Sequence, residues 1–147
     1  MGDDGEPPSY LIIQYDTNGD ITRTIQFDNG ADGSFPKAIA VDANDNLYVT
    51  GVRANGIAND DCLTISYTDS GSVRWEQTID NNNRWDSGNT ITIDGRGDVV
   101  VGGNSARTAD GRIQGSTMLI TKYDANGNMV VPPIYPYYAL PQTDSVV

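Results

Sequence analysis

Residues 38–51 read AIAVDANDNLYVTG, and residues 90–103 read TITIDGRGDVVVGG. The second stretch lies 52 positions after the first, and Ile39, Asp42, Val49 and Gly51 recur as Ile91, Asp94, Val101 and Gly103. Upstream, YLIIQYDTNGDITRTIQFD (10–28) shows the same shift: Leu11, Ile13, Tyr15, Gly19 and Asp28 return as Leu63, Ile65, Tyr67, Gly71 and Asp80. A third copy opens at Leu119 and reads LITKYDANGN, now 56 positions after Leu63. The four added residues fall in 104–117, expected as a surface loop between repeat strands, as is its counterpart 52–61.

Within each copy the apolar residues alternate with a period of two, and Gly, Asn and Asp cluster between the runs. This is the pattern of short strands joined by tight turns. Asn-Gly in Asp16-Thr-Asn-Gly-Asp20 and in Asp124-Ala-Asn-Gly-Asn128 supplies positive φ, and the leading Asp can bond the turn backbone. A full period contains four such strands, expected near 37–42, 46–52, 62–68 and 72–79, then near 89–94, 98–104, 118–124 and 128–133. Four antiparallel strands per repeat of this length predict an all-β chain of consecutive β-propeller blades. The expected organisation is a half-blade at 10–28, blades at 37–79 and 89–133, and repeats spanning 10–131 overall. Residues 1–9 are expected to be a disordered lead, and 132–147, with four prolines and three tyrosines, an extended tail.

The sequence at 38–51 and at 10–21 resembles the bacterial SBBP (seven-bladed β-propeller) repeat. That family alternates a GIAVD-x-x-GN-x-YVTG segment with a D-x-x-x-x-K-Y-D-x-x-G-N segment. The likeness is carried by Ile39-Ala-Val-Asp42, Asn46-Leu-Tyr-Val-Thr-Gly51 and Lys122-Tyr-Asp-Ala-Asn-Gly-Asn128, and it covers about 10–131. The resemblance implies the propeller fold and a secreted or cell-surface location. Met1-Gly-Asp-Asp-Gly-Glu-Pro-Pro has no apolar core of a signal peptide, so none is expected within this chain.

Composition narrows the chemistry. The net charge is −11, from 20 acidic and 9 basic residues, which argues against nucleic acid and anionic membranes as partners. The chain has no histidine and one cysteine, Cys62, so neither a Ser-His-Asp nor a Cys-His pair can form, nor a thiolate metal cluster. Cys62 sits in a strand pattern and is expected to be a buried apolar residue. No apolar run approaches the roughly 18 residues of a membrane helix. Asp60 and Asp61 are the nearest pair of carboxylates for acid–base work, with a loop end beside a strand as their structural reading.

Three features point to ligands. Asp16, Asn18 and Asp20, like Asp124, Asn126 and Asn128, copy the first three ligand positions of a calcium loop. The sixth position holds Ile21 or Met129 where Gly is needed, and the twelfth holds Phe27 or Tyr135 where Glu is needed. Hairpin turns and a weak surface calcium site both fit these residues; no other cofactor is expected. Arg96-Gly97-Asp98 is an integrin-type tripeptide on a repeated turn. Arg84, Trp85 and Asp86 lie in the polar run Asn81–Ser87, expected as an inter-blade loop, and form the candidate binding rim. There Trp85 either stacks on a sugar or packs over a neighbouring blade. Trp75, on a strand, is expected in the core.

These residues suit a non-catalytic interaction or scaffold module. The alternatives are a carbohydrate-binding module that completes a propeller by self-association, and a fragment of a larger propeller enzyme. A protein or glycan partner fits each of them. Open blade edges recruit strands, so homo-oligomers or the remaining blades of a larger chain are expected to close the ring.

Overall fold

The computed structural model describes residues 10–27, 33–55, 59–82, 84–109 and 112–135. The described residues are all-β: β1 (Tyr10–Tyr15), β2 (Ile21–Phe27), β3 (Ser34–Val41), β4 (Leu47–Asn55), β5 (Asn59–Tyr67), β6 (Val73–Ile79), β7 (Trp85–Ile93), β8 (Val99–Ala109), β9 (Arg112–Tyr123) and β10 (Met129–Ile134). They form three antiparallel sheets in chain order: β1-β2, β3-β4-β5-β6 and β7-β8-β9-β10. Each strand therefore pairs with its neighbour in sequence, which a run of short hairpins dictates.

One turn recurs five times. In the turns led by Asp16, Asp42, Thr68, Asp94 and Asp124, the first N–H donates to the fifth carbonyl, and the fourth N–H donates to the first carbonyl. The fourth residue has positive φ in all five: Gly19, Asp45, Gly71, Gly97 and Gly127. Glycine suits four of these positions; Asp45 meets the requirement at φ 59°.

The sheets pack face to face. The middle sheet presents Tyr48, Cys62, Trp75 and Ile79 to Ile91, Val99, Val101, Leu119 and Tyr123 of the third sheet. Its other face presents Val49, Leu63, Ile65 and Tyr67 to Tyr10, Ile12 and Ile25 of the first. Strand alternation accounts for this: Tyr48 and Val49, or Cys62 and Leu63, are successive residues on opposite faces. Val49, Leu63 and Tyr67 play the part in the first interface that Val101, Leu119 and Tyr123 play in the second. The stacking is thus head to tail, each sheet showing one face backward and the other forward.

Polar contacts stitch the second interface. Trp75 lies between Tyr48 and Tyr123, with ring centroids 5.9 and 5.6 Å away. Its indole N–H donates to the Ala125 carbonyl at 3.1 Å, Arg74 donates to the same oxygen at 3.0 Å, and Gln77 donates to the Gly127 carbonyl at 2.9 Å. The last strand of the middle sheet therefore rests on the final turn of the third. Ile25 rests on Gly71 in the same way in the first interface.

Several boundaries differ from those the sequence predicts. Segments 52–61 and 104–117, expected as loops, are largely ladder: β4 and β5 pair out to Asn55 and Asn59, and β8 and β9 out to Ala109 and Arg112. The four added residues lengthen a hairpin, with one irregularity between Arg107 and Thr108, because pairing satisfies backbone groups that a loop leaves to water. β10 runs through Pro132 and Pro133 to Ile134, within one residue of the strand expected near 128–133, so the first residues of the expected tail are strand. It is an edge strand, where missing donors are tolerated, and its register shifts between Val131 and Ile134. Pro36 sits likewise on edge strand β3, beside a register shift between Pro36 and Ala38. The lead at 1–9 and the rest of the tail, 136–147, lie outside the described residues.

Candidate functional site

The candidate rim divides on folding. Trp85 is the first residue of β7, paired with Ala106, and not part of a loop as the sequence suggests. Its side chain is 43% exposed and Arg84 is half-buried, but Asp86 is fully buried. Neighbouring strand residues point to opposite sides, so Asp86 turns inward where Trp85 turns out. The Asp86 carboxylate accepts the Asn81 N–H at 2.6 Å, and the Asn81 amide donates to the Ser105 hydroxyl at 3.0 Å. Burial pushes the Asp86 carboxyl above the ordinary carboxylate range. The exposed part of the rim is therefore Trp85, with Arg84 half-buried and Asp86 an internal brace for the Asn81 corner.

Asp61 is also buried, and its carboxyl is raised by burial and by the nearby charges of Asp80 and Asp86. Asp60 is raised by burial alone, with Lys37 opposing. Two raised carboxyls could serve acid–base chemistry, but that needs a cleft to hold a substrate. Neither Asp61 nor Asp86 lines the grooves described below.

The calcium candidates are built into the recurring turn. Asp16 Oδ1 accepts the N–H of Asn18 at 2.8 Å and of Asp20 at 3.0 Å. Asp124 Oδ1 accepts those of Asn126 and Asn128 at 2.8 and 2.9 Å, and its Oδ2 takes the Asn128 amide at 2.8 Å. These bonds hold both carboxyls below the ordinary range. In the third turn Thr68 replaces the aspartate, and its hydroxyl accepts the Ser72 N–H at 3.0 Å. A carboxylate is thus dispensable for the turn. Among the described residues no group of three or more carboxylate or thiol side chains is placed to hold a metal ion.

In Arg96-Gly97-Asp98 the arginine side chain is 80% exposed, but Asp98 is engaged by Lys122 at 2.7 Å. Lys122 also bonds Asp94 at 2.6 Å, clamping both ends of the turn. Cys62 is fully buried, and burial raises its thiol to about 12. Trp75, 9% exposed, lies in the core as the sequence predicts.

Among the described residues an uncovered apolar face lies at the N-terminal side of the stack. Leu11, Ile13 and Tyr15 are 54%, 39% and 55% exposed, while their repeats Leu63, Ile65 and Tyr67 are at 0%, 0% and 1%. On β3, Ile39 and Val41 are each 53% exposed, whereas Ile91, the repeat of Ile39, is 9% exposed. Between β1 and the β3-β4 face run two adjoining hollows of about 330 and 590 Å³ that share Ile12, Ile13 and Ile39. The half-length of the first sheet leaves them open. The first sheet has two strands where the other two have four, and Ile39 and Val41 stay uncovered.

No family model matches the chain, and no curated protein matches it. The functional reading therefore rests on the repeat and on the surfaces the stack leaves uncovered.

Proposed function

We propose that this chain is a non-catalytic interaction module made of β-propeller blades, belonging to a secreted or cell-surface protein of the SBBP-repeat kind. It binds other protein segments through the uncovered faces at the ends of its stack. One observation carries the reading: Leu11, Ile13 and Tyr15 stand in solvent although the same residues one repeat later are buried. An apolar set that matches an internal packing face is a surface suited to docking. Support for a binding role over catalysis comes from the chain's composition, which has no histidine and a single, buried cysteine.

The test is the solution mass by light scattering over a range of concentrations, for the natural chain and for Tyr15→Asp. The expected result is a discrete small oligomer that reverts to monomer in the variant. A folded monomer at every concentration sinks the idea that the end faces recruit copies of the chain.

A carbohydrate-binding role is the second reading, favoured by Trp85, which is 43% exposed at the head of β7. Glycan-array binding that is lost in Trp85→Ala, with an unchanged melting temperature, would select it.

A further inference from the structure

We propose that Asn18 is a site of spontaneous deamidation, and that the packing of the sheets shields its repeat, Asn126, from the same reaction. The modification is a slow covalent change with water as co-reactant, and it does not depend on which partner the chain binds.

The chemistry belongs to the Asn-Gly pair. The backbone nitrogen of the glycine gives its proton to solvent and attacks Cγ of the asparagine side chain. A new N–C bond closes a succinimide ring, the Cγ–Nδ2 bond breaks, and the amide nitrogen leaves as ammonia with a proton from solvent. Water then opens the ring. Opening at the side-chain carbonyl gives Asp. Opening at the main-chain carbonyl gives isoAsp, whose main chain runs through Cβ and Cγ. Across the whole sequence an amide and water become a carboxylate and ammonium, with no change of oxidation state. Glycine permits the attack because it has no Cβ to hinder the approach.

Asn18-Gly19 and Asn126-Gly127 occupy the same place in the recurring turn, so their local geometry is matched. The glycine N–H donates to the carbonyl of the leading aspartate at 3.1 Å in the first and 3.0 Å in the second. The asparagine N–H donates to the leading carboxylate at 2.8 Å in both. In each, the glycine nitrogen must leave its carbonyl before it can reach Cγ, so the reaction passes through an opened turn. What opening costs is different. Asn18 and Gly19 both stand in solvent, and a methyl placed on Gly19 would meet nothing within 4 Å. Asn126 is exposed too, but its attacking partner Gly127 is buried against Trp75. The middle sheet also holds the carbonyls on either side of Asn126: the Trp75 indole and Arg74 donate to that of Ala125, and Gln77 donates to that of Gly127. Opening the second turn breaks these three bonds and lifts the indole.

The consequence falls on the weakest sheet. Asp16 Oδ1 accepts the N–H groups of Asn18 and Asp20, and isoAsp at 18 lengthens the main chain between them by one methylene. A two-stranded hairpin leans on its turn more than a four-stranded sheet does, so this change loosens β1-β2. Of the other Asn-Gly pairs, Asn29-Gly30 and the glycine of Asn55-Gly56 lie outside the described residues.

The test is to hold the whole protein at mildly alkaline pH, where loss of the backbone proton speeds attack, and to sample it over weeks. Peptide mapping by mass spectrometry follows each Asn-Gly pair separately, and isoaspartyl-specific enzymatic methylation counts isoAsp. Synthetic peptides 14–22 and 122–130 give the rates without the fold, and these should be alike. In the folded protein Asn126 should convert at least about tenfold more slowly than Asn18, because three net hydrogen bonds oppose its opening. Gln77→Ala removes one of them and should speed Asn126 by about threefold or more, with Asn18 unchanged. Gly19→Ala should slow Asn18 alone. In the deamidated fraction, isolated by anion exchange, the Tyr10–Tyr15 amides should exchange faster with solvent. The comparison of the two sites within the natural protein needs no variant. Equal rates at Asn18 and Asn126 in the folded protein overturn the proposal. So does an Asn18 that stays intact while its free peptide converts fully, or an Asn126 whose rate ignores Gln77→Ala.

Discussion

The recurring turn allows a mutational experiment with its own control. Gly97 and Gly127 occupy the same position of the same turn, at φ 83° and 84°. A methyl added at Gly97 meets nothing within 4 Å, whereas one added at Gly127 would lie 2.6 Å from Cγ of Trp75. Alanine at positive φ costs about 1–2 kcal/mol. The less flexible unfolded chain offsets about 0.4–1 kcal/mol of that. Gly97→Ala should therefore destabilise by about 1 kcal/mol. Gly127→Ala carries the same term and an overpacking cost of about 1–3 kcal/mol as the indole moves. Displacing the indole also endangers its bond to the Ala125 carbonyl, worth about 1 kcal/mol. The total is about 2–5 kcal/mol. Gly71→Ala should fall between, because its methyl would sit 3.0 Å from Ile25, whose side chain can yield. Urea and thermal melts followed by circular dichroism give the ranking. In a Trp75→Ala background the excess penalty at 127 should vanish, which a double-mutant cycle measures directly. If Gly127→Ala and Gly97→Ala agree within about 0.5 kcal/mol, the indole does not seat on the turn and the account of the second interface is wrong.

Other outcomes follow from single sites. Asp45→Gly should stabilise by about 0.5–1 kcal/mol, because it relieves the one turn whose positive-φ position lacks glycine; chemical denaturation of the variant checks it. The Cys62 thiol, fully buried and raised to about 12, should react with a thiol reagent only as fast as the protein opens, and labelling kinetics in increasing urea should track stability. Asp94 is held down to about 2, chiefly by the Lys122 hydrogen bond. A depressed carboxyl lends stability that is present above its unfolded pKa, near 3.8, and is lost as pH falls toward 2. Asp94→Asn should therefore be less stable than the natural protein at pH 7, with the gap closing across that window in pH-dependent melts. Asp86 has the opposite sign: burial raises its carboxyl, so the ionised form opposes folding at neutral pH. Asp86→Asn, which keeps an acceptor for the Asn81 N–H, should match or exceed the natural protein at pH 7 and lose that advantage in acid.

The sequence makes the strands and turns legible because both are local. Alternation fixes the faces, and Asp-x-x-Gly marks three of the five turns of nearly one geometry, with Asp45 replacing the glycine in a fourth and Thr68 the aspartate in a fifth. What sequence does not carry is the partner of a polar run. Asn81-Asn-Asn-Arg84 looks like loop on composition, and only the pairing of Trp85 with Ala106 makes it the approach to a strand. Asp86 looks like a rim residue because it stands beside an exposed tryptophan; its burial depends on Asn81 folding back over it. The prolines of 132 and 133 argue against a strand in general but not against an edge strand, and edge status is set by what does not lie beyond. The calcium-like spacing is legible for a different reason. The same Asp that could ligate an ion is used by its own turn, so the spacing alone cannot separate a ligand from a brace.

The two faces of each sheet are not under the same restraint, and this bears on what the stack can recognise. The backward face keeps its Leu and Tyr through the three copies, with one change from Ile to Thr121: Leu11, Ile13 and Tyr15; Leu63, Ile65 and Tyr67; Leu119, Thr121 and Tyr123. The forward face changes each time. Tyr10, Ile12 and Arg23 become Cys62, Thr64 and Trp75, and then Met118, Ile120 and Val131. The third sheet thus lacks the tryptophan that clasps the Ala125 turn, and Met118, at the place of buried Cys62, is 49% exposed. Stacking of one copy on the next would bring the Met118 face against Leu11, Ile13 and Tyr15, a combination found at neither internal interface. A receiving face that keeps its Leu and Tyr lets any repeat-like sheet approach, whereas a variable presenting face decides which one packs without a void. Discrimination between partners should therefore reside in the forward residues. Exchanging Met118 and Val131 for the Cys62 and Trp75 pair should change self-association more than any conservative exchange among Leu11, Ile13 and Tyr15.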